Sequence, residues 1–398
     1  MKISLILPSR NNLKYLKWAY ESIRKNQGSH EVQICIADDA SSDGTAAWLA
    51  EITMDDSNVS YIINDSPNRL GHTILYDKLV TNVAKHDICM IYHADMYLCP
   101  GALDEIERLM QPKTIVSLTR IEPPLHPPGP EKILRDFGTE PEDFKESELL
   151  EDLKNHPLYI KNKTTEGVFA PWAFWKTDFL EIGGHDWLYA PQSKEDSDIF
   201  NRFHLNGIRF VQTWQGFVYH MTCRGSRRNT TDGAPNIHTN NPEWEAQNMR
   251  STRNFIRKWG HFVKHDEYMK PIVPPKYDIG IVLKNGAGIL PVLEPWCSKI
   301  YVESKYELVA DSYIRSEQTN TRYDLAGRVK WDDTIFSDVV IEIDERTFTE
   351  QDFVFLQSIS EILASEPDIT GTFELGTMRI QIRKLVDSSQ DLIKVTNE

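Results

Sequence analysis

Four short apolar runs, separated by stretches with apolar residues at helical spacing, fill the first part of the chain and confine it to few folds. Lys2 to Leu7 reads as a strand. Leu13 to Asn26 reads as a helix stopped by Gln27-Gly28. Val32 to Ala37 is a second strand, and Ser41-Ser42-Asp43-Gly44-Thr45 caps a helix running to about Ile52. Val59 to Ile63, Gly71 to Ala84 and Ile88 to Tyr92 continue the alternation, and Pro100 to Met110 adds a helix. Parallel strands need crossovers, so this pattern predicts an α/β fold with a mostly parallel sheet. Ligands of such sheets lie beyond the carboxyl ends of the strands. The polar seams Pro8-Ser9-Arg10, Asp38-Asp39 and His93-Ala94-Asp95 all fall at that edge.

The character changes at about residue 120. "IEPPLHPPGPEK" is too proline-rich for the interior of a helix or strand, and the region from about 120 to 165 reads as an inserted functional flap. Order returns at Gly167, continues through "WAFWKTDFLEIGGHD", a helix from Glu195 to Asn206 and a strand from Arg209, and closes with a helix ending near Gly260. Trp172, Trp175 and Trp187 in this part are compatible with stacking on sugar rings, and equally with a core. "PIVPPK", residues 271 to 276, reads as a linker. The expected division is therefore 1–270 and a second, smaller α/β domain at 271–398. The "KNGAG" turn of that second domain does not match GxGxxG, so it carries little weight as a nucleotide site.

A formal charge of −15 excludes a general nucleic-acid binder, because phosphate backbones demand a basic face. No run approaches the roughly 20 apolar residues of a membrane span, and Met1-Lys2 leads directly into a strand without a signal-peptide layout. A cytoplasmic location with no transmembrane segment is the expectation. Cys35, Cys89, Cys99, Cys223 and Cys297 are scattered, with no CxxC pair, and read as buried thiols.

Four motifs carry chemistry-bearing residues. "DDASSDGT" puts Asp38 and Asp39 at a strand end, where turn chemistry is an equal alternative. "HADMYL" offers His93 and Asp95, spaced to project the same way from an extended chain: Asp95 suits Mg²⁺ or Mn²⁺, and His93 suits Mn²⁺ better. "SKEDSDIFNRF" concentrates Glu195, Asp196 and Asp198 at a helix start, where acids also serve simply to complement the helix dipole. "VYHMTCRGSRRN" brings His220 and then Arg224, Ser226 and Arg227, a set fit for a metal-bound diphosphate or for a solvated basic loop.

Taken in order within about 230 residues, these motifs resemble the family-2 glycosyltransferases with the GT-A fold, over roughly residues 1–260. The resemblance implies a nucleotide-sugar donor, linked to UDP or GDP, and a glycan or other hydroxyl acceptor. It implies that Pro8, Ser9, Arg10, Asp38, Asp39 and His93 line the nucleotide side, with Arg224, Ser226 and Arg227 near the phosphates. Asp95 and His220 would bind Mn²⁺ or Mg²⁺, although His93 stands where the family usually has an acid. Gly184, His185, Asp186 and Trp187 would lie beside the acceptor, and Asp196, with Glu195, would be the catalytic base of an inverting displacement. Polysaccharide biosynthesis is the implied setting, and the reading admits a homo-oligomer. Two other readings stand beside it. A nucleotidyltransferase should show a glycine-rich basic loop near its start, which "LPSRNNLKYL" lacks; a catalytically decayed glycan-binding or scaffold protein would be separated by a nucleotide-sugar hydrolysis assay.

Overall fold

The computed structural model describes residues 1–66, 68–155, 162–223, 241–331 and 335–397. The chain forms two compact units. The first comprises Met1–Ala246, His265–Pro271 and Lys394–Glu398, and the second Gln247–Lys264 and Ile272–Ile393. The second thus takes in residues that the sequence reading left with the first.

The first unit begins with β1 (Lys2–Ser9), α1 (Leu13–Asn26), β2 (Glu31–Asp38), α2 (Thr45–Asp55), β3 (Val59–Ile63), α3 (His72–Asn82) and β4 (Ile88–Ile91). It continues with β5 (Met96–Leu98), α4 (Ala102–Leu109), β6 (Thr114–Glu122), β7 (Lys132–Leu134), α5 (Glu146–Asn155), β8 (Thr164–Thr165) and β9 (Trp172–Trp175). Then follow α6 (Lys176–Glu181), α7 (Glu195–Leu205), β10 (Arg209–His220) and α8 (Pro242–Trp259), whose later turns belong to the second unit. Strand order is β3-β2-β1-β4-β9-β6-β10-β5, with β7 on β6 and β8 on β10. The β3-β2-β1-β4 portion is parallel, as is β6 with β10; β9 and β5 run antiparallel to their neighbours.

Helices cover both faces of the central strands, which is why β1 and β2 read as unbroken apolar runs. Leu16, Ala19 and Ile23 of α1 and Leu103 and Ile106 of α4 pack with Ile3, Leu5, Ile34 and Met90 in one core. The Arg209 strand runs on to His220 through an irregularity between Thr213 and Phe217. The stretch read from sequence as a flap is partly built into this unit. β7 pairs with β6, Glu140 accepts from Lys14 and Tyr15, and Glu146 of α5 accepts from Lys25 and Tyr97.

The second unit holds β11 (Ile279–Lys284), α9 (Leu290–Leu293), β12 (Lys299–Val302), α10 (Glu307–Glu317), α11 (Leu325–Arg328), β13 (Val329–Lys330) and β14 (Val339–Asp344). It closes with α12 (Glu350–Gln357), α13 (Ile359–Ala364) and the hairpin β15 (Gly371–Leu375) to β16 (Met378–Ile382). The order is β13-β12-β11-β14-β16-β15, parallel up to β14 and antiparallel through the hairpin. A mixed α/β chain with a mostly parallel main sheet and a second sheet is the architecture expected from the sequence.

Candidate active site

The carboxyl ends of β1, β2 and β4 and the end of β10 supply the site. Asp39 N–H donates to Ser9 O, tying the first two seams together, and Asn11 and Asp43 complete the shelf by accepting from Ser42 N and Leu13 N. Asp39 is buried and nearly saturated. Its Oδ1 accepts from Asn64 Nδ2 and Leu70 N and its Oδ2 from Gly71 N, at 2.8–2.9 Å. Asp38, also buried, accepts from Ser41 N. Ser9 Oγ is buried without a hydrogen-bond partner among the described residues, and Arg10 is exposed. Arg224, Ser226 and Arg227 lie outside the described residues.

His93 and Asp95 follow β4, and β5 pairs antiparallel with the end of β10, which sets His220 against Met96 and so beside Asp95. One atom from each of His93, Asp95 and His220 lies within 4.8 Å of the other two. His220 Nε2 is 3.4 Å from Asp95 Oδ1, and its Nδ1 is 2.8 Å from Glu122 Oε1. Glu122 ends β6, next to β10, and is held by Arg120 and Lys132 at 3.2 and 3.1 Å. Sequence reasoning passed over it, although it too stands at a strand end.

Burial would lower His220, but Asp95 and Glu122 more than offset this and raise it to about 9. Burial and the charge of His220 push His93 down to about 3, so its imidazole is neutral. Burial would raise Glu122, but His220, Arg120 and Lys132 hold it well below the usual carboxylate range. These residues fit a divalent cation. A histidine that donates Nδ1–H to a carboxylate presents Nε2 as a ligand, and one carboxylate with two imidazoles suits Mn²⁺ better than Mg²⁺. Since His220 carries a proton without the ion, binding would release it.

The second cluster forms around α3 and the start of α7. Gly71 precedes α3, and a Cβ there would meet Pro191 O at 2.2 Å, so the two helix starts approach closely. His72 Nε2 lies 2.6 Å from Glu195 Oε1. Burial would raise Glu195, but His72 lowers it; burial and the negative Glu195 raise Asp196 to about 6. Asp198 turns inward to a fully buried ion pair with Arg202 at 2.8 Å.

Asp77, one turn further along α3, organises the loop after α6. It accepts from His185 N, bonds His185 Nδ1 at 2.8 Å, and accepts from Trp187 Nε1 at 2.9 Å. A Cβ on Gly184 would stand 2.8 Å from Asp77 Oδ2. Asp186 accepts from Leu188 N and caps a short turn. Tyr76, buried and raised by burial and by Asp196, Glu195 and Asp95, stacks on His185 at 5.6 Å. His72, Tyr76 and Asp77 were not singled out in the sequence. Trp172 is completely buried against Phe174, Phe200 and Phe203, so it is core and no sugar platform.

The acids, imidazoles and cation-competent cluster thus gather at the carboxyl edge of an α/β sheet. Residues 4–164, all within the first unit, match the family model described as glycosyl transferase family 2. The chain is also similar to solved structures. S. aureus TarS 1-349 shares 15% identity at a TM-score of 0.39, covering 55% of this chain and 60% of that one. GalNAc-T7 with UDP, GalNAc and Mn²⁺ shares 13% at 0.45, covering 64% and 48%. The mannosyltransferase PcManGT from Pyrobaculum calidifontis in complex with GDP-Man and Mn²⁺ shares 14% at 0.43, covering 67% and 66%. The chain thus spans less than two thirds of the length of these proteins. No curated protein sequence matches it.

Proposed function

We propose that this protein is an inverting glycosyltransferase that moves a sugar from a UDP- or GDP-linked donor to a hydroxyl of a glycan or other acceptor, with Mn²⁺ or Mg²⁺ as cofactor. The observation that carries the reading is the His93-Asp95-His220 cluster at the carboxyl edge of the sheet, with Glu195 and Asp196 at the start of α7. Asp95 and His220 would hold the cation, with His93 beside them. When bound, the cation neutralises charge on the departing diphosphate. Glu122 fixes the His220 ring, and the shelf at Ser9, Asp38 and Asp39 holds the nucleoside. Asp196 takes the acceptor proton, while Glu195, kept ionised by His72, holds Asp196 in the range where a base works at neutral pH. The loop from Gly184 to Trp187 orients the acceptor.

None of the helices among the described residues is long and apolar enough to cross a membrane. Five buried free thiols are compatible with the cytoplasmic location that belongs to this reading. The test is release of UDP or GDP from UDP-glucose, UDP-N-acetylglucosamine and GDP-mannose, with and without Mn²⁺. Cation-dependent release from one of them is expected, and no release from any would overturn the reading.

A further inference from the structure

The chain leaves the first unit at Pro271 and re-enters it at Lys394. The returning segment does not merely touch the surface; it is bonded to the loop that follows α6. Val395 N–H donates to Ile182 O at 3.1 Å. The Asn397 side chain then bridges three backbone groups. Its Oδ1 accepts from Trp187 N at 2.9 Å, and its Nδ2 donates to His185 O at 2.7 Å and to Gly183 O at 3.4 Å. A Cβ on Gly183 would stand 2.1 Å from Val395 O, so the approach requires glycine at 183, where φ is +84°. Asp77 holds the same loop through the His185 and Trp187 side chains. The loop is thus held by the Asp77 side chain of α3 and by the Val395 backbone and Asn397 side chain of the 394–397 segment, which bonds the Gly183 and His185 carbonyls and the Trp187 N–H that Asp77 leaves.

We propose that Asn397 is a positioning residue of the acceptor site, setting the backbone of Gly183 to Trp187 and through it the geometry with which the acceptor meets Asp196. The inference rests on the acceptor role given above to that loop. An amide suits the task because it offers one acceptor and two donors in a fixed plane, matching one N–H and two carbonyls. Misplacement by about 1 Å at such a loop is enough to cost on the order of 10²-fold in transfer. Donor binding and hydrolysis, assigned above to Ser9, Asp38, Asp39 and the His93-Asp95-His220 cluster, make no use of the hydrogen bonds of Asn397.

The experiment compares the full-length wild type with Asn397→Ala, Asn397→Asp, Gly183→Ala and the exposed control Thr396→Ala. Transfer from the three nucleotide sugars named above to p-nitrophenyl glycosides is measured beside donor hydrolysis, and hydrogen exchange is followed in peptides covering 183–187 and 93–98. For Asn397→Ala the acceptor KM should rise about tenfold, the size of effect expected for lost hydrogen bonds of this kind. Donor hydrolysis should stay within about twofold on the same basis. Exchange should accelerate at 183–187 and not at 93–98. Asn397→Asp, which keeps the acceptor for Trp187 N–H and loses the donors, should fall between, and Thr396→Ala should match the wild type. If Asn397→Ala does not fold, Asn397→Asp and Gly183→Ala carry the same comparison. Unchanged acceptor KM with unchanged exchange, or equal losses in transfer and hydrolysis, would overturn the proposal. A wild type that releases no UDP or GDP overturns the transferase reading instead, and the exchange data then report on the clamp alone.

Discussion

His220 and Glu122, 98 residues apart in the chain, meet at 2.8 Å because β6 and β10 are parallel neighbours. This carboxylate fixes which ring nitrogen of His220 is free for a cation. Glu122→Gln should weaken Mn²⁺ binding about 10- to 100-fold, the usual cost of losing such an outer partner. Titration calorimetry with Mn²⁺ checks this, and an unaltered affinity would remove Glu122 from the cation site.

Nucleotide sugar with Mn²⁺ should raise the melting temperature of the wild type, and Asp95→Ala should abolish that rise. His93→Asp replaces a neutral imidazole by an anion and should shift preference from Mn²⁺ toward Mg²⁺. Thermal shifts in each metal decide it; a variant that binds neither would give His93 a different task.

Asp196→Asn should bind donor normally and lose on the order of 10²- to 10⁴-fold in transfer, the range for a missing general base. Glu195→Gln should lose less in rate. Full transfer in Asp196→Asn would move the base to another carboxylate.

The pH dependence follows from the same pair. Burial and the neighbouring Glu195 raise Asp196 to about 6, so it is protonated and idle below that pH and competent above it. Transfer should therefore climb between about pH 5 and 7 and level off, as expected for a base titrating in that range. A profile that is flat across this window would contradict the assignment.

Asp198→Asn leaves Arg202 charged and buried without its ion-pair partner. Removing one member of a buried pair costs about 3–5 kcal/mol, so this variant should melt well below the wild type. At low temperature its donor affinity should be near normal. Loss of donor affinity without loss of stability would place Asp198 in the site.

The alternation of strands and helices in the first unit was legible in the sequence, because burial on two faces imposes apolar runs on parallel strands and a period near 3.6 on the helices packed over them. The seams at Ser9, Asp38-Asp39 and His93-Asp95 were legible for a related reason: polar residues that end an apolar run must lie at the edge of the sheet. Spacing could not show which edge residues become neighbours. Glu122 reaches His220, Asp77 reaches His185 across 108 residues and Asn397 reaches Trp187 across 210, each through a packing decided by strand order and chain return. Nor could it divide the labour within Glu195-Asp196-Ser197-Asp198. The three acids are alike in sequence, and only their surroundings separate them: His72 against Glu195, the buried negative charge of Glu195 beside Asp196, and Arg202 against Asp198. Local pattern determines what a segment becomes; partners, burial and charge, which decide what a side chain does, exist only once distant segments have packed.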